Sequence, residues 1–153
     1  MLRVISSRST ASGIDFSPDR HERRFPVRVL IVDDSPQVAS TLEIALSHAG
    51  WETDVAHDVA SAMELVSSAS ALDAVVTDLD MPRMDGYALI AALRAHPSAR
   101  QAAIVVTSGS TASGAESQAR AAGADAFFPK PYSPAAVRQK LERLVNGGAQ
   151  AHP

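Results

Sequence analysis

The order of hydrophobic runs predicts an α/β fold, a parallel sheet of five strands covered by helices on both faces. Three observations carry that expectation. Short β-branched apolar runs alternate with stretches of helical periodicity five times along the chain, and the connections between them are short. Most runs are apolar at successive positions, as strands buried on both faces require. With 153 residues, 46% hydrophobic and 20% charged, the chain suits one globular domain.

The elements follow in order. Residues 1–26 are rich in Ser and Arg and end in Arg23-Arg24-Phe25-Pro26, so they are expected to form a flexible basic extension, either a docking arm or a solvated tail. Val27–Val32 is the first buried strand, stopped by Asp33-Asp34. Ser35 supplies a helix cap with Pro36 at the first helical position, and Val38, Leu42, Ala45, Leu46 and Ala49 recur at helical spacing until Gly50. Trp51–Ala56 reads as a second strand, and Asp58 caps a helix bearing Val59, Ala62, Met63, Leu65 and Val66.

Leu72–Thr77 is the third strand and ends at Asp78; a Pro- and Gly-marked loop leads to a helix over Gly86–Ala95, closed by Pro97. Ala102–Thr107 is a fourth buried strand, and Thr111–Ala122 a helix with Gly114 inside it and Gly123 at its end. Ala126–Phe128 is a short fifth strand and Ser133–Val145 an amphipathic helix, leaving 146–153 as a disordered tail. Between Val106 and Phe127 there is no Leu, Ile, Val, Met or aromatic residue. Small side chains bury little area, so Gly109–Ala122 is expected to be the most mobile part of the domain at 27–145.

Composition excludes several chemistries. With no Cys there is no disulfide, thiol nucleophile or thiolate metal site. The net charge of −3 opposes nucleic-acid binding by broad phosphate neutralisation, and its distribution sharpens the point. Residues 1–26 carry five Arg and three acids, leaving nine basic against fourteen acidic residues in the rest. No stretch approaches the roughly 20 apolar residues that span a bilayer, and Met1–Gly13 lacks a signal-peptide core, so a cytoplasmic protein is expected. Neither a Gly-x-Gly-x-x-Gly turn nor a Gly-x-x-x-x-Gly-Lys loop is present.

In an open parallel sheet, ligands bind beyond the carboxyl ends of the strands. Asp33 and Asp34 end the first strand, Asp78 the third and Ser108 the fourth, while Lys130 follows the fifth. Neighbouring strands lie about 5 Å apart, so carboxylates on the first and third would face each other if those strands are adjacent. Like charges that close shift their pKa values or recruit a cation. A cluster of oxygen donors without His or Cys suits Mg2+.

These residues resemble the receiver domain of two-component response regulators, including stand-alone chemotaxis-type receivers, over about Val27–Val145. The resemblance rests on Val32-Asp33-Asp34-Ser35, on Asp78-Leu79-Asp80-Met81-Pro82-Arg83-Met84-Asp85-Gly86, and on Lys130-Pro131 preceded by Gly123-Ala124-Asp125-Ala126-Phe127-Phe128. It implies a flavodoxin-like, doubly wound sheet in the order 2-1-3-4-5. It also implies that Asp78 accepts a phosphoryl group from a phosphohistidine on a histidine kinase or phosphotransfer protein. Mg2+, with Mn2+ as an alternative, would be held by Asp34, Asp78 and the backbone carbonyl of Asp80, with Asp33 acting through the metal's waters.

Lys130 would pair with Asp78 before transfer and with the phosphoryl oxygens afterwards. Ser108, which lies 22 positions before Lys130, is the implied switch hydroxyl, with Thr107 as the alternative, and Phe127 is the aromatic switch position. Phosphorylation would draw Ser108 toward Asp78 and let Phe127 fill the space vacated. The resemblance further implies a cis bond at Lys130–Pro131 and an effect of the residue two beyond the phosphoacceptor, here Asp80, on hydrolysis. On this footing the chain is a signalling domain rather than an enzyme. With only eight residues after Val145, its output is expected in another molecule, through a phosphorelay or an allosteric contact.

Two other functions fit parts of the pattern. Asp78-Leu79-Asp80 also matches the Asp-x-Asp of haloacid-dehalogenase-type phosphatases, but there the motif ends the first strand and the metal acids come late, whereas here an acidic pair precedes it. The other is an interaction module whose partner binds regardless of phosphorylation.

Overall fold

A computed structural model describes residues 26–110 and 112–147. The expected extension at 1–26 lies outside the described residues except for Pro26, as does the expected tail beyond Gly147. The elements are β1 (Arg28–Val32), α1 (Pro36–His48), β2 (Glu52–Ala56), α2 (Val59–Ser68), β3 (Ala74–Asp78), α3 (Gly86–Ala95), β4 (Ala103–Ser108), α4 (Ala115–Ala122), β5 (Ala126–Pro129) and α5 (Pro134–Asn146). All pairings are parallel and the sheet order is β2-β1-β3-β4-β5, the doubly wound arrangement implied by the resemblance.

Alternation along the strands builds two cores. Leu30, Val75, Ile104 and Val106 face α2, α3 and α4, where they meet Val66, Ile90 and Leu93. Val29, Ile31, Val76 and Val105 face the other way, onto Leu42 and Leu46 of α1 and Val137 and Leu141 of α5. The central strands β3 and β4 are buried at every residue, so their carboxyl ends open onto the mouth of the site from a rigid platform. Helix caps fall where side-chain chemistry placed them. The Ser35, Asp58, Asp85 and Ser133 side chains each accept from a backbone amide in the first turn of the helix that follows.

Two boundaries differ from the sequence expectation by more than one residue. The third strand begins at Ala74 rather than Leu72, because Asp73 turns its carboxylate to the Arg28 amide at 2.9 Å. Helix α4 begins at Ala115 rather than Thr111, with Gly114 at its N-terminal boundary in the left-handed region, at φ 91°, instead of inside the helix. Ser110 Oγ accepts from the Ala112 amide at 3.0 Å, a local turn that competes with helix hydrogen bonding. Eight residues with only Ala115 and Ala119 buried leave α4 weakly anchored by packing. Amide exchange in α4 is therefore expected to be faster than at Leu42 and Leu46 of α1; equal protection would contradict this. The Lys130–Pro131 bond is cis. Among the described residues no helix is long and apolar enough to cross a membrane.

Candidate functional site

The edge formed by the carboxyl ends of β1, β3, β4 and β5 brings together residues far apart in the chain. Pairing of Val32 with Thr77 puts the β1 and β3 ends side by side, so Asp33 and Asp78 emerge next to each other. Both are buried, at 3% and 2% exposure, whereas Asp34 is exposed at the mouth. One carboxylate oxygen from each of Asp33, Asp34 and Asp78 lies within 4.8 Å of the other two. An all-oxygen set of that size fits a hard divalent cation.

A cation of the chain's own already lies between the inner two. Lys130 Nζ donates to Asp78 Oδ2 at 3.1 Å and to Asp33 Oδ2 at 3.3 Å. The remaining oxygens are also engaged, Asp33 Oδ1 by the Ser35 amide at 2.8 Å and Asp78 Oδ1 by the Asp80 amide at 3.0 Å. The acidic pair sits at the start of α1, where the helix dipole favours negative charge.

Burial pushes the Asp78 carboxyl above its ordinary value, against the Asp80 amide and Lys130, which favour the anion; the nearby Asp33 charge adds to the rise. For Lys130 burial opposes the charge, yet the hydrogen bond and field of Asp78, then of Asp33, outweigh it and hold the ammonium above the usual lysine range. The site is thus a buried carboxylate that carries its charge reluctantly beside a firmly protonated amine. Burial also raises the Tyr132 phenol, with Asp33 adding to the effect.

Of the two adjacent hydroxyls, alternation puts Ser108 on the side of Val106 and Phe127, the α4 face, and Thr107 on the opposite one. Ser108 Oγ is fully buried and points along the site edge, donating to Asp80 Oδ2 at 2.8 Å. Phe127 is half-buried against the α4-side core and lines an open cleft of about 630 Å³ beside Ser110, Ala112 and Ala115. Its ring therefore has core on one side and open space on the other.

Two features escaped the sequence argument. His57, directly after β2, places Nδ1 2.8 Å from the Asp33 carbonyl oxygen; the same attention to polar residues at strand ends would have found it. The Asp80 side chain, expected to affect hydrolysis as the residue two beyond the phosphoacceptor, is bound to the end of β4, a contact across 28 positions that no local pattern signals.

The family profile described as response regulator receiver domain matches residues 29–142. A curated relative, response regulator MprA of Mycolicibacterium vanbaalenii, is 34% identical over 119 residues, covering 78% of this chain and 49% of its own length. The chain thus spans about half the length of the curated relatives it matches. Among solved structures, the chemotaxis response regulator CheY4 of Vibrio cholerae is 27% identical with a TM-score of 0.71, over 78% of this chain and 99% of that one. The receiver domain of sensor histidine kinase PA1611 from Pseudomonas aeruginosa shares the fold at 23% identity and a TM-score of 0.70, over 79% and 98%; its structure has a magnesium ion coordinated in the active-site cleft.

Proposed function

The chain belongs to the response regulator receiver domain family, and from that premise we propose that Asp78 is its phosphoacceptor, charged by a phosphohistidine on a histidine kinase or phosphotransfer protein. The observation that carries this reading is the sharing of one ammonium, Lys130 Nζ, by two buried carboxylates with a third at the mouth. In the transfer an Asp78 carboxylate oxygen forms a bond to phosphorus as the phosphorus–nitrogen bond to histidine breaks. The electron pair of that bond returns to the imidazole. Lys130 leaves Asp78 Oδ2 for the phosphoryl oxygens, which supply the negative charge it pairs with.

Asp34 and Asp78, with the carbonyl of Asp80, would hold Mg2+, and Asp33 would hold its waters; Mn2+ fits the same donors. When bound, the metal neutralises charge on the transferring oxygens. Ser108 donates its hydroxyl to the phosphoryl group, and Phe127 moves from its half-buried place into the space beside β4. The output is an allosteric switch or a phosphorelay step in the cytoplasm, through a protein target and without direct contact of this domain to nucleic acid. The acidic balance of residues 27–153 supports the last point.

A small-molecule donor such as acetyl phosphate tests the chemistry without the cognate kinase. With Mg2+ the protein is expected to gain one phosphoryl group by intact mass and to lose the ability in EDTA. Labelling that is indifferent to EDTA would contradict the role given to the acidic cluster. Turnover of many equivalents of a generic phosphate ester would instead point to a phosphatase.

A further inference from the structure

The side chain of Asp80 does something that its proposed use as a backbone ligand leaves unexplained. Its Oδ2 accepts two hydrogen bonds from adjacent residues, from Ser108 Oγ at 2.8 Å and from the Gly109 amide at 2.7 Å. The Ser110 amide in turn donates to Ser108 Oγ at 3.0 Å, which leaves the hydroxyl's single proton for Asp80. Through its own amide Asp80 also holds Asp78 Oδ1. One residue therefore grips the phosphoacceptor with its main chain and the end of β4 with its carboxylate.

An O–H and an N–H converging on one anionic oxygen make a donor pair suited to a phosphoryl oxygen. Each donor has one hydrogen, so it serves Asp80 or a phosphoryl group on Asp78, not both. We infer that Asp80 is an internal competitor for the phosphoryl group: its carboxylate occupies the Ser108 hydroxyl and the Gly109 amide in the resting protein and must release them before the switch can be thrown. The inference rests on Asp78 being the phosphoacceptor. Asp80 is then a positioning residue that acts through Ser108 and sets the threshold for activation. Because it is solvent-exposed, it can let go into water without leaving a buried charge unpaired.

Like-charge repulsion alone would also make Asp80 oppose a phosphoryl group, so the test must separate repulsion from competition. Affinity for Mg2+-beryllofluoride, measured by calorimetry, is compared among wild type, Asp80→Ala, Ser108→Ala and the double variant. Competition makes the two sites non-additive. Ser108→Ala then costs little in wild type, where the hydroxyl must first be taken from Asp80, and about tenfold more in the Asp80→Ala background, equivalent to about 1.4 kcal/mol.

Equal costs of Ser108→Ala in both backgrounds would reduce Asp80 to simple repulsion and overturn the proposal while leaving the phosphoacceptor reading intact. A wild-type protein that binds no beryllofluoride, and behaves like Asp78→Asn, would overturn that reading and this inference with it. In the free protein, Asp80→Asn and Asp80→Ala are both expected to move the Gly109 amide proton upfield. An unmoved resonance would mean that the carboxylate does not hold that amide, which also overturns the proposal.

Discussion

Asp78→Asn is expected to abolish phosphoryl acceptance from acetyl phosphate while raising the stability of the resting protein at neutral pH. The first effect follows from chemistry, because an amide oxygen is no nucleophile for phosphorus and no other carboxylate in the cluster has the same surroundings. Asp33 shares the Lys130 ammonium but is tied by its other oxygen to the Ser35 amide, where Asp78 is tied to the Asp80 amide, and Asp34 is out in solvent at the mouth. The second effect follows from burial. The Asp78 carboxyl is held above its ordinary value even with Lys130 and the Asp80 amide favouring the anion, so its ionised form costs the folded state free energy.

A raised carboxyl binds its proton more tightly in the native than in the unfolded chain. The cost is therefore absent below the unfolded pKa, grows as pH rises through it, and is complete above the folded value. Asn removes the cost, keeps an oxygen for the Asp80 amide, and leaves Lys130 paired with Asp33. The variant should melt above wild type at pH 7, with the gap closing as pH falls below about 4, the ordinary aspartate range. A gap that widens on acidification would contradict the sign. A partner that binds Asp78→Asn and phosphorylated wild type equally would favour the interaction-module alternative.

Arg94→Ala is expected to cost about 3 kcal/mol of folding stability, by analogy with buried pairs broken from one side. The Arg94 guanidinium, at the opposite end of the sheet from Asp78, donates to the Gly123 carbonyl at 3.0 and 2.8 Å, to the Arg100 and Ala102 carbonyls at 2.9 and 2.7 Å, and to Asp125 Oδ2 at 2.9 Å. Asp125, with its side chain 8% exposed, also accepts from the Ile104 amide at 2.8 Å. One side chain thus ties the end of α3 to the start of β4, the C-terminus of α4 and the start of β5. Removing it leaves a buried carboxylate with a lost partner and several carbonyls short of a donor.

Arg94→Lys keeps the charge but not the planar fork, and should fall between wild type and Ala. The clamp leaves no room for a side chain at Gly123, where an added Cβ would lie 2.7 Å from Arg94 Cγ. A urea midpoint for Arg94→Ala matching wild type would show that the network contributes no net stability.

Much of the fold was legible because its signals are local. Ser35-Pro36 and Asp58 cap their helices through hydrogen bonds spanning three residues, and β-branched runs such as Ala103–Val106 read as buried strands without any tertiary knowledge. The site was legible for a different reason. Parallel strands share a carboxyl edge, so Asp33, Asp78, Ser108 and Lys130 had to gather once strand order was right.

What escaped was set by three-dimensional approach. Arg94 reaches Asp125 across 31 positions, and Asp80 reaches Ser108 across 28. The start of α4 was misjudged because Gly114 and the Ser110 turn oppose a helix whose composition otherwise permits one. Composition around α4 did disclose the scarcity of apolar anchors there.

The most direct test of the account is chemical mapping of the modified residue. Protein treated with acetyl phosphate and Mg2+ is reduced with borohydride, which converts an aspartyl phosphate to homoserine, and the peptides are sequenced by mass spectrometry. Homoserine at position 78 alone is the predicted result; homoserine at 33, 34 or 80, or at no position in a protein that has gained a phosphoryl group, would contradict it.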